Sequence, residues 1–228
     1  MPDNWSPLDL GASLLGWWDA SHGVTHSSGA VSAWADKIGP YSAEEATNQP
    51  VFSATSFNGG PGITFDGSND LLTVASQPFP SGTTPCEIWL VCDLPGTAGS
   101  PQPLFTYGGA SNATMRRIVR VSGNALNFGS DNAGTPVVVQ DNSQDWGGRR
   151  VLRMRITATE LRYAIDGGAL SSATTVAPTT GTTRVRIGAS TSASPTFGNV
   201  IYGHAIVTNI LDIDQQARMN KWTLWARG

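Results

Sequence analysis

The chain has 228 residues, a net charge of −3, and only 14% charged against 39% hydrophobic residues. That balance excludes a disordered, solvating chain, and its acidic sign argues against a general nucleic-acid binder. With 26 glycines and 14 prolines beside abundant Ser, Thr and Val, long helices are excluded; many short strands joined by turns are expected, in one domain spanning 1–228.

Residues 1–5 carry neither a basic region nor an apolar stretch, so no signal peptide is expected, and about the first 12 residues read as an extended arm. No run of about 18 apolar residues occurs, so no membrane insertion is expected. Strand candidates then follow at Leu14–Asp19, Ala30–Trp34, Gly62–Phe65 and Leu71–Ala75. In Cys86–Asp93 the alternation is clean, with Cys86, Ile88, Leu90 and Cys92 on one face and Glu87 and Asp93 on the other. Six extended residues hold the two cysteines roughly 20 Å apart, beyond disulfide reach, so both are expected as buried free thiols, compatible with a reducing compartment.

Further strands are expected at Leu104–Tyr107, Arg117–Ser122, Ala125–Phe128 and Thr135–Gln140. Val151–Thr157 alternates Leu152, Met154 and Ile156 against Arg153 and Arg155, and Leu161–Ile165 returns after a short turn. Asp166-Gly167 is a tight-turn signal, because both residues tolerate positive φ. Thr183–Gly188 and Ile201–Thr208 complete the strands. A helix is then expected, with Asp212 as N-cap, Gln215 completing a capping box, and an apolar stripe of Ile213, Ala217 and Leu224 flanked by Trp222 and Trp225. The fold class is all-β: a two-sheet antiparallel sandwich with one short C-terminal helix.

The order of segments resembles the concanavalin A-like, laminin-G-like jelly-roll domains. The resemblance rests on Leu15-Gly16-Trp17-Trp18-Asp19-Ala20-Ser21, Val31-Ser32-Ala33-Trp34-Ala35-Asp36-Lys37 and Ile63-Thr64-Phe65-Asp66-Gly67-Ser68-Asn69-Asp70-Leu71-Leu72. Leu104–Gly108, Arg162–Gly167, Val185–Gly188 and Leu211–Asp214 continue it in the same order, so that it spans about Leu14 to Trp225. Stand-alone domains opening in this way resemble modules of bacteriophage virion proteins. The resemblance implies a jelly roll; it leaves function open, because this superfold carries lectins, adhesion modules and enzymes alike.

No catalytic residue is assigned. A glycosidase needs two carboxylates about 5–9 Å apart across the scissile bond. Glu44, Glu45, Glu87 and Glu160 form no alternating Glu-x-Asp-x-Glu strand. Thr159-Glu160-Leu161-Arg162 is similar to part of an alginate-lyase strand, yet Ala158 stands where that strand has its first arginine. Asp19, His22 and His26 are close enough in sequence to suit a transition metal, but His22 and His26 read as a Gly/Ser-rich surface loop after the first strand; no metal is assigned. Calcium, held in lectin-like relatives by loop carboxylates, leaves Asp66, Asp70, Asp131 and Asp141 as candidates without a resolved ligand set; no cofactor is assigned.

The non-core signal is arginine, which outnumbers lysine twelve to two. Arg116 and Arg120, Arg153 and Arg155, Arg184 and Arg186, with Arg162 nearby, would gather on one exposed face if their strands shared a sheet. Guanidinium forks grip carboxylate, sulfate or phosphate, so that face would suit an acidic polysaccharide or lipopolysaccharide. Among aromatics, Trp5 and Trp146 in polar segments, with Tyr107 and Tyr202, are candidates for stacking on sugar rings. The site expected is therefore Arg120, Arg153, Arg155, Arg184, Arg186, Trp146 and Tyr202.

The reading favoured is a non-catalytic glycan-binding or adhesive module of a phage virion, borne on a fibre, spike or baseplate and contacting host glycan. Other virion proteins are its expected partners, in a homo-oligomer or larger assembly. The alternatives are a capsid or tail decoration protein and, third, a divergent glycan-active hydrolase or lyase.

Overall fold

The computed structural model describes residues 5–57, 60–75, 79–96, 101–109, 115–120, 125–132, 135–142, 146–178, 181, 184–189 and 200–227. A 3-10 helix (Pro7–Ser13) leads into β1 (Leu14–Asp19), β2 (Val24–Ser27), β3 (Ala30–Ala35), β4 (Ser42–Glu44), β5 (Val51–Phe57), β6 (Gly60–Thr64) and β7 (Leu72–Val74). Then come β8 (Cys86–Leu94), β9 (Gln102–Gly108), β10 (Met115–Arg120), β11 (Leu126–Asn132), β12 (Thr135–Asp141) and β13 (Gly148–Ile156). The chain closes with β14 (Glu160–Ile165), β15 (Thr174–Thr175), β16 (Arg184–Ile187), β17 (Val200–Thr208) and the helix α1 (Ile213–Arg227).

The strands make an antiparallel jelly-roll sandwich. The front layer runs β1-β17-β8-β13-β14-β15, and the back layer runs β4-β7-β16-β9-β10-β11-β12, continued past β4 by the β2–β3 hairpin. A corner joins the layers: β6 pairs with β17 at Ile201↔Ile63, and its neighbour β5 touches β3 at Ala30↔Val51.

Alternation decides which residues meet between the layers. Cys86, Ile88, Leu90, Leu152 and Met154 face inward from the front, against Phe105, Ile118, Phe128, Val185 and Ile187 from the back. The Phe128 and Tyr163 rings stack at 4.5 Å, nearly parallel. Both cysteines are buried and free, as the extended spacing required. The Asp166-Gly167 turn is the expected one: both residues have positive φ, 52° and 74°, and the Gly168 N–H donates to the Ile165 carbonyl at 3.0 Å.

A second apolar cluster lies on the outside of the front layer. Trp17, Trp89, Val91, Val151 and Ile206 point outward there, and Leu10, Leu211, Met219 and Trp222 cover them. Trp17 and Trp222 meet edge to face at 5.6 Å, a geometry that adds about 0.5–1.5 kcal/mol to the burial itself.

Two expectations change here. The first residues are no arm throughout: Ser6 and Asp9 form a capping box for the 3-10 helix, and Leu10 is buried against the sheet. On α1 the capping box of Asp212 and Gln215 is present, at 2.8 and 3.1 Å. The buried stripe, however, is Met219, Trp222 and Thr223, while Ile213 is 78% exposed and Leu224 also faces solvent. At 3.6 residues per turn those two sets lie on opposite sides of the helix, and the apolar row Trp17–Ile206–Trp89 selects the side carrying Trp222. The side chain of Trp225 lies outside the described residues. No helix among the described residues is long and apolar enough to cross a membrane.

Gly188 seals the seam between β16 and β9. Its φ is +80°, and a Cβ there would come within 2.3 Å of the buried Phe65 ring. Gly188→Ala is expected to lose about 2–3 kcal/mol in urea unfolding, whereas Gly96→Ala, with open space around the new methyl, stays within about 0.5 kcal/mol.

Candidate functional site

The outer face of the front layer divides in two. Strand β13 turns Val151, Arg153 and Arg155 outward, and the cover of α1 reaches only the Val151 end. A two-residue turn at Ala158-Thr159, closed by Thr157 N–H donating to the Glu160 carbonyl at 2.8 Å, places Arg155 opposite Arg162 and Arg153 opposite Ala164. On the other side of β13, Glu87 faces Arg155 and Trp89 faces Arg153.

These registers grade the arginines by depth. Arg153 is 4% exposed; its Nη2 donates to Glu87 Oε1 at 2.8 Å, and its guanidinium lies 4.6 Å over the Trp89 ring. Arg155 is a quarter exposed and stands 3.7 Å from the same oxygen, an ion pair too long for a hydrogen bond. Arg162, further out, donates from Nε to Glu160 Oε2 at 3.2 Å. The terminal nitrogens of Arg155 and Arg162 hydrogen-bond to none of the described residues.

Arg155, Thr157, Glu160, Arg162 and Leu170 line an open depression of about 270 Å³. Its outer wall is the chain after the Asp166 turn, tied to β14 where the Ser171 N–H donates to the Tyr163 carbonyl at 2.8 Å and the Ser171 hydroxyl accepts from the Tyr163 N–H at 3.1 Å. Thr157 Oγ1 accepts the Glu160 N–H at 3.1 Å, so it braces the turn. Beneath, burial pushes the Glu87 carboxyl above its ordinary 4.5, against the opposing pull of Arg153 and then Arg155.

The other arginines do not join this face. Arg184 and Arg186 sit on β16 in the back layer, where Arg186 pairs across to Thr73 and Thr106. The chain crosses from front to back between β15 and β16, so the two arginine pairs belong to different sheets and the single gathered face is not formed. Burial, and then the neighbouring Arg184, lower the Arg186 pKa. Arg120 is also on β10 in the back layer, but its side chain, like that of Tyr202 on β17, lies outside the described residues.

Three further candidates are interior. Trp146, expected on the surface, is 8% exposed; its Nε1 donates to the Asp141 carboxylate at 3.2 Å and Arg150 caps the ring at 5.8 Å. Arg116 and Tyr107 are buried between the layers. Arg116 donates through Nη1 to the Tyr107 hydroxyl and to Cys86 Sγ at 2.8 Å, and through Nη2 to the Gly82 and Thr84 carbonyls at 3.1 and 2.9 Å. Burial raises the Tyr107 hydroxyl well above its ordinary pKa. Here a guanidinium serves as a clasp holding the β7–β8 connection to β10.

The loop carboxylates are structural as well. Asp19 accepts from Ser21 and pairs with Lys37 at 2.9 Å, while the His26 ring stacks on Phe52 at 4.7 Å. Asp66 accepts the Ser68 and Asn69 N–H groups, and Asp70 accepts the Asp66 N–H. Asp141 holds Trp146, and the Asp131 side chain lies outside the described residues. Among the described residues no three His, Cys, Asp or Glu side chains converge as a metal site would require.

Sequence reasoning brought Arg153 and Arg155 together with Arg162 nearby, and left Glu160 and Leu170 out of the site. The signal was present in the short turn at Ala158-Thr159, which fixes the opposition of Arg155 and Arg162; Leu170 carries no such signal, since its place comes from the returning chain.

No family model and no curated protein matches the chain. Solved structures do. Trypanosoma rangeli sialidase, in complex with 2,3-difluorosialic acid, superposes with a TM-score of 0.65 at 13% identity over 93% of this chain and 33% of that one. The botulinum neurotoxin type G receptor binding domain gives 0.64 at 11% identity, over 92% of this chain and 51% of that one. The serotype D binding domain gives 0.63 at 9%, over 93% and 50%. The chain thus spans a third to a half of these neighbours, and at such identities the similarity is one of fold.

Because the folded Glu87 carboxyl holds its proton more tightly than the unfolded one, ionising it costs stability: its own contribution is fully present below 4.5 and is lost as pH rises through the elevated value. Glu87→Gln removes the titration. In urea unfolding across pH, wild type is expected to weaken relative to that variant from below 4.5 towards neutrality; a constant difference would show that Glu87 ionises in the fold as it does in water.

Proposed function

We propose that this chain is a non-catalytic carbohydrate-binding module, and that its contact face is the uncovered half of the front layer around Arg155 and Arg162. The carrying observation is the pair of guanidinium groups on adjacent strands whose terminal nitrogens stay open beside a depression of about 270 Å³. A depression of that size has room for one sugar ring. Leu170 supplies an apolar contact for the C–H face of a ring, and Glu160 an acceptor for its hydroxyls.

Carboxylates point away from catalysis. Glu87 is buried under Arg153, Glu45 accepts the N–H groups of Ala46, Thr47 and Asn48, and Glu160 pairs with Arg162, so none of the three is aimed with a second acid across a cleft. Support also comes from the neighbours: one is a sialidase solved with a sialic acid derivative and another is named a receptor binding domain, and this sandwich matches a third to a half of each. The remaining candidates from the sequence, Arg184 and Arg186, form a separate contact patch on the back layer in this reading.

We further propose a phage particle as the carrier, with host surface polysaccharide or lipopolysaccharide as the partner. Free, buried thiols at Cys86 and Cys92 fit folding in a reducing cytoplasm, and the resemblance of the opening strands to virion modules supports the setting. A second reading, a decoration protein docking on other virion proteins, is favoured by one observation: Leu8, Ile213 and Leu224 are exposed beside the cover of the front layer, 52%, 78% and 36% respectively.

The test removes the exposed arginines and spares Arg153, whose loss would strip a buried partner from Glu87. Arg155→Ala with Arg162→Ala is expected to lower binding to extracted host polysaccharide by about tenfold or more, and to flatten its salt dependence, with unchanged circular dichroism. Equal binding by the double variant would move the contact face elsewhere; stoichiometric coverage of particles by protein that binds no glycan would favour the decoration reading.

A further inference from the structure

We infer that the depression recognises a carboxylate-bearing sugar residue, one ring carrying one negative charge, in preference to neutral or phosphorylated sugars. The inference rests on the glycan-binding reading above and narrows it to a ligand class.

The charges around the depression decide the sign. Arg153, Arg155 and Arg162 bring three positive charges, Glu87 and Glu160 two negative ones, leaving a single net positive charge. Arg153 and Glu87 are buried and paired with one another through Nη2 and Oε1, so a ligand meets Arg155, Arg162 and Glu160. Neutral sugars would leave that positive charge uncompensated and the terminal guanidinium nitrogens to water alone. A carboxylate matches the planar fork of Arg155 with two parallel N–H···O bonds and cancels the excess. A phosphate monoester brings a second charge up against Glu160.

Geometry sets the pose. Arg155 Nε stands 3.7 Å from Glu87 Oε1, so this ion pair engages the Nε of the guanidinium and leaves its terminal nitrogens, bonded to none of the described residues, for a ligand. Arg162 is held only by the Glu160 pair, and both are about two-fifths exposed. Such a pair is weak, so Arg162 swings to a ligand at little cost. Glu160 Oε1, not used by that pair, then faces a ring hydroxyl as acceptor, and Leu170 backs the ring. One carboxylate, one neighbouring hydroxyl and one apolar ring face together describe a uronic or other acidic sugar.

The experiment titrates purified full-length protein with glucuronate, its methyl ester, glucose and glucose 6-phosphate, following Arg Nε–Hε resonances by NMR, together with a glycan array. Glucuronate is expected to shift the Arg155 and Arg162 signals and to bind about tenfold more tightly than its neutral ester, with Arg155→Lys losing about the same factor, because an ammonium lacks the fork. Glu160→Gln is expected to raise glucose 6-phosphate affinity several-fold while the ester stays weak. If ester and acid bind alike, or glucose 6-phosphate binds the wild type more tightly than glucuronate does, the carboxylate assignment is overturned while the module reading stands. Should no array glycan bind, the reading beneath it falls as well; if Arg155→Ala with Arg162→Ala leaves all binding intact, the contact face lies elsewhere and the carboxylate assignment falls with it.

Discussion

Strand β8 is buried on both of its faces, and the rest of the molecule follows from having to cover it. Its inward residues, Cys86, Ile88, Leu90 and Cys92, join the core between the layers. Its outward residues, Trp89 and Val91, are as apolar as the inward ones and need a roof. The N-terminal 3-10 helix and α1 supply it, through Leu10, Met219 and Trp222. Burying a large apolar side chain stabilises by about 1.5–3 kcal/mol, so leaving that row bare would remove a substantial part of a domain's margin. Where the outward pattern changes from Trp89 to Glu87 the roof stops, and the surface left open is the one that carries the exposed arginines.

One residue type fills three roles according to depth. Arg116, wholly enclosed, spends its donors on a hydroxyl, a thiol and two carbonyls. Arg153 is sandwiched between Glu87 and the face of Trp89. The terminal nitrogens of Arg155 and Arg162 bond to none of the described residues. A buried guanidinium needs compensating partners, and Arg116 and Arg153 find theirs inside the fold, whereas Arg155 and Arg162 are partly exposed and within reach of a ligand.

The fold alone places the chain beside sialidase and neurotoxin binding domains, which it matches over a third to a half of their length. A sandwich shared at 9–13% identity says where sheets and loops go and leaves the chemistry to the side chains present. Here those side chains are a guanidinium pair, one acid that opposes a second negative charge, and one leucine. Two of the positions offered as sugar-stacking aromatics, Trp146 and Tyr107, are taken up by the core, and the described lining of the depression holds charged and apolar side chains but no aromatic one.

Period-two alternation in Cys86–Asp93, Val151–Thr157 and Leu161–Ile165 was enough to determine the all-β class, the inward faces and the free thiols, because strand geometry alone makes neighbouring side chains point opposite ways. The Asp166-Gly167 turn and the Asp212–Gln215 cap were equally legible, being local contacts between residues close in sequence. The strands β2, β4 and β5 were not, since their largely exposed, polar residues carry no clean alternation. The side of α1 that is buried, the separation of Arg153 and Arg155 from Arg184 and Arg186, and the depth of Trp146 and Arg116 were decided by tertiary structure. Each depends on which sheet a strand joins and what packs over it, and those are relations between segments far apart in the chain that no local pattern encodes.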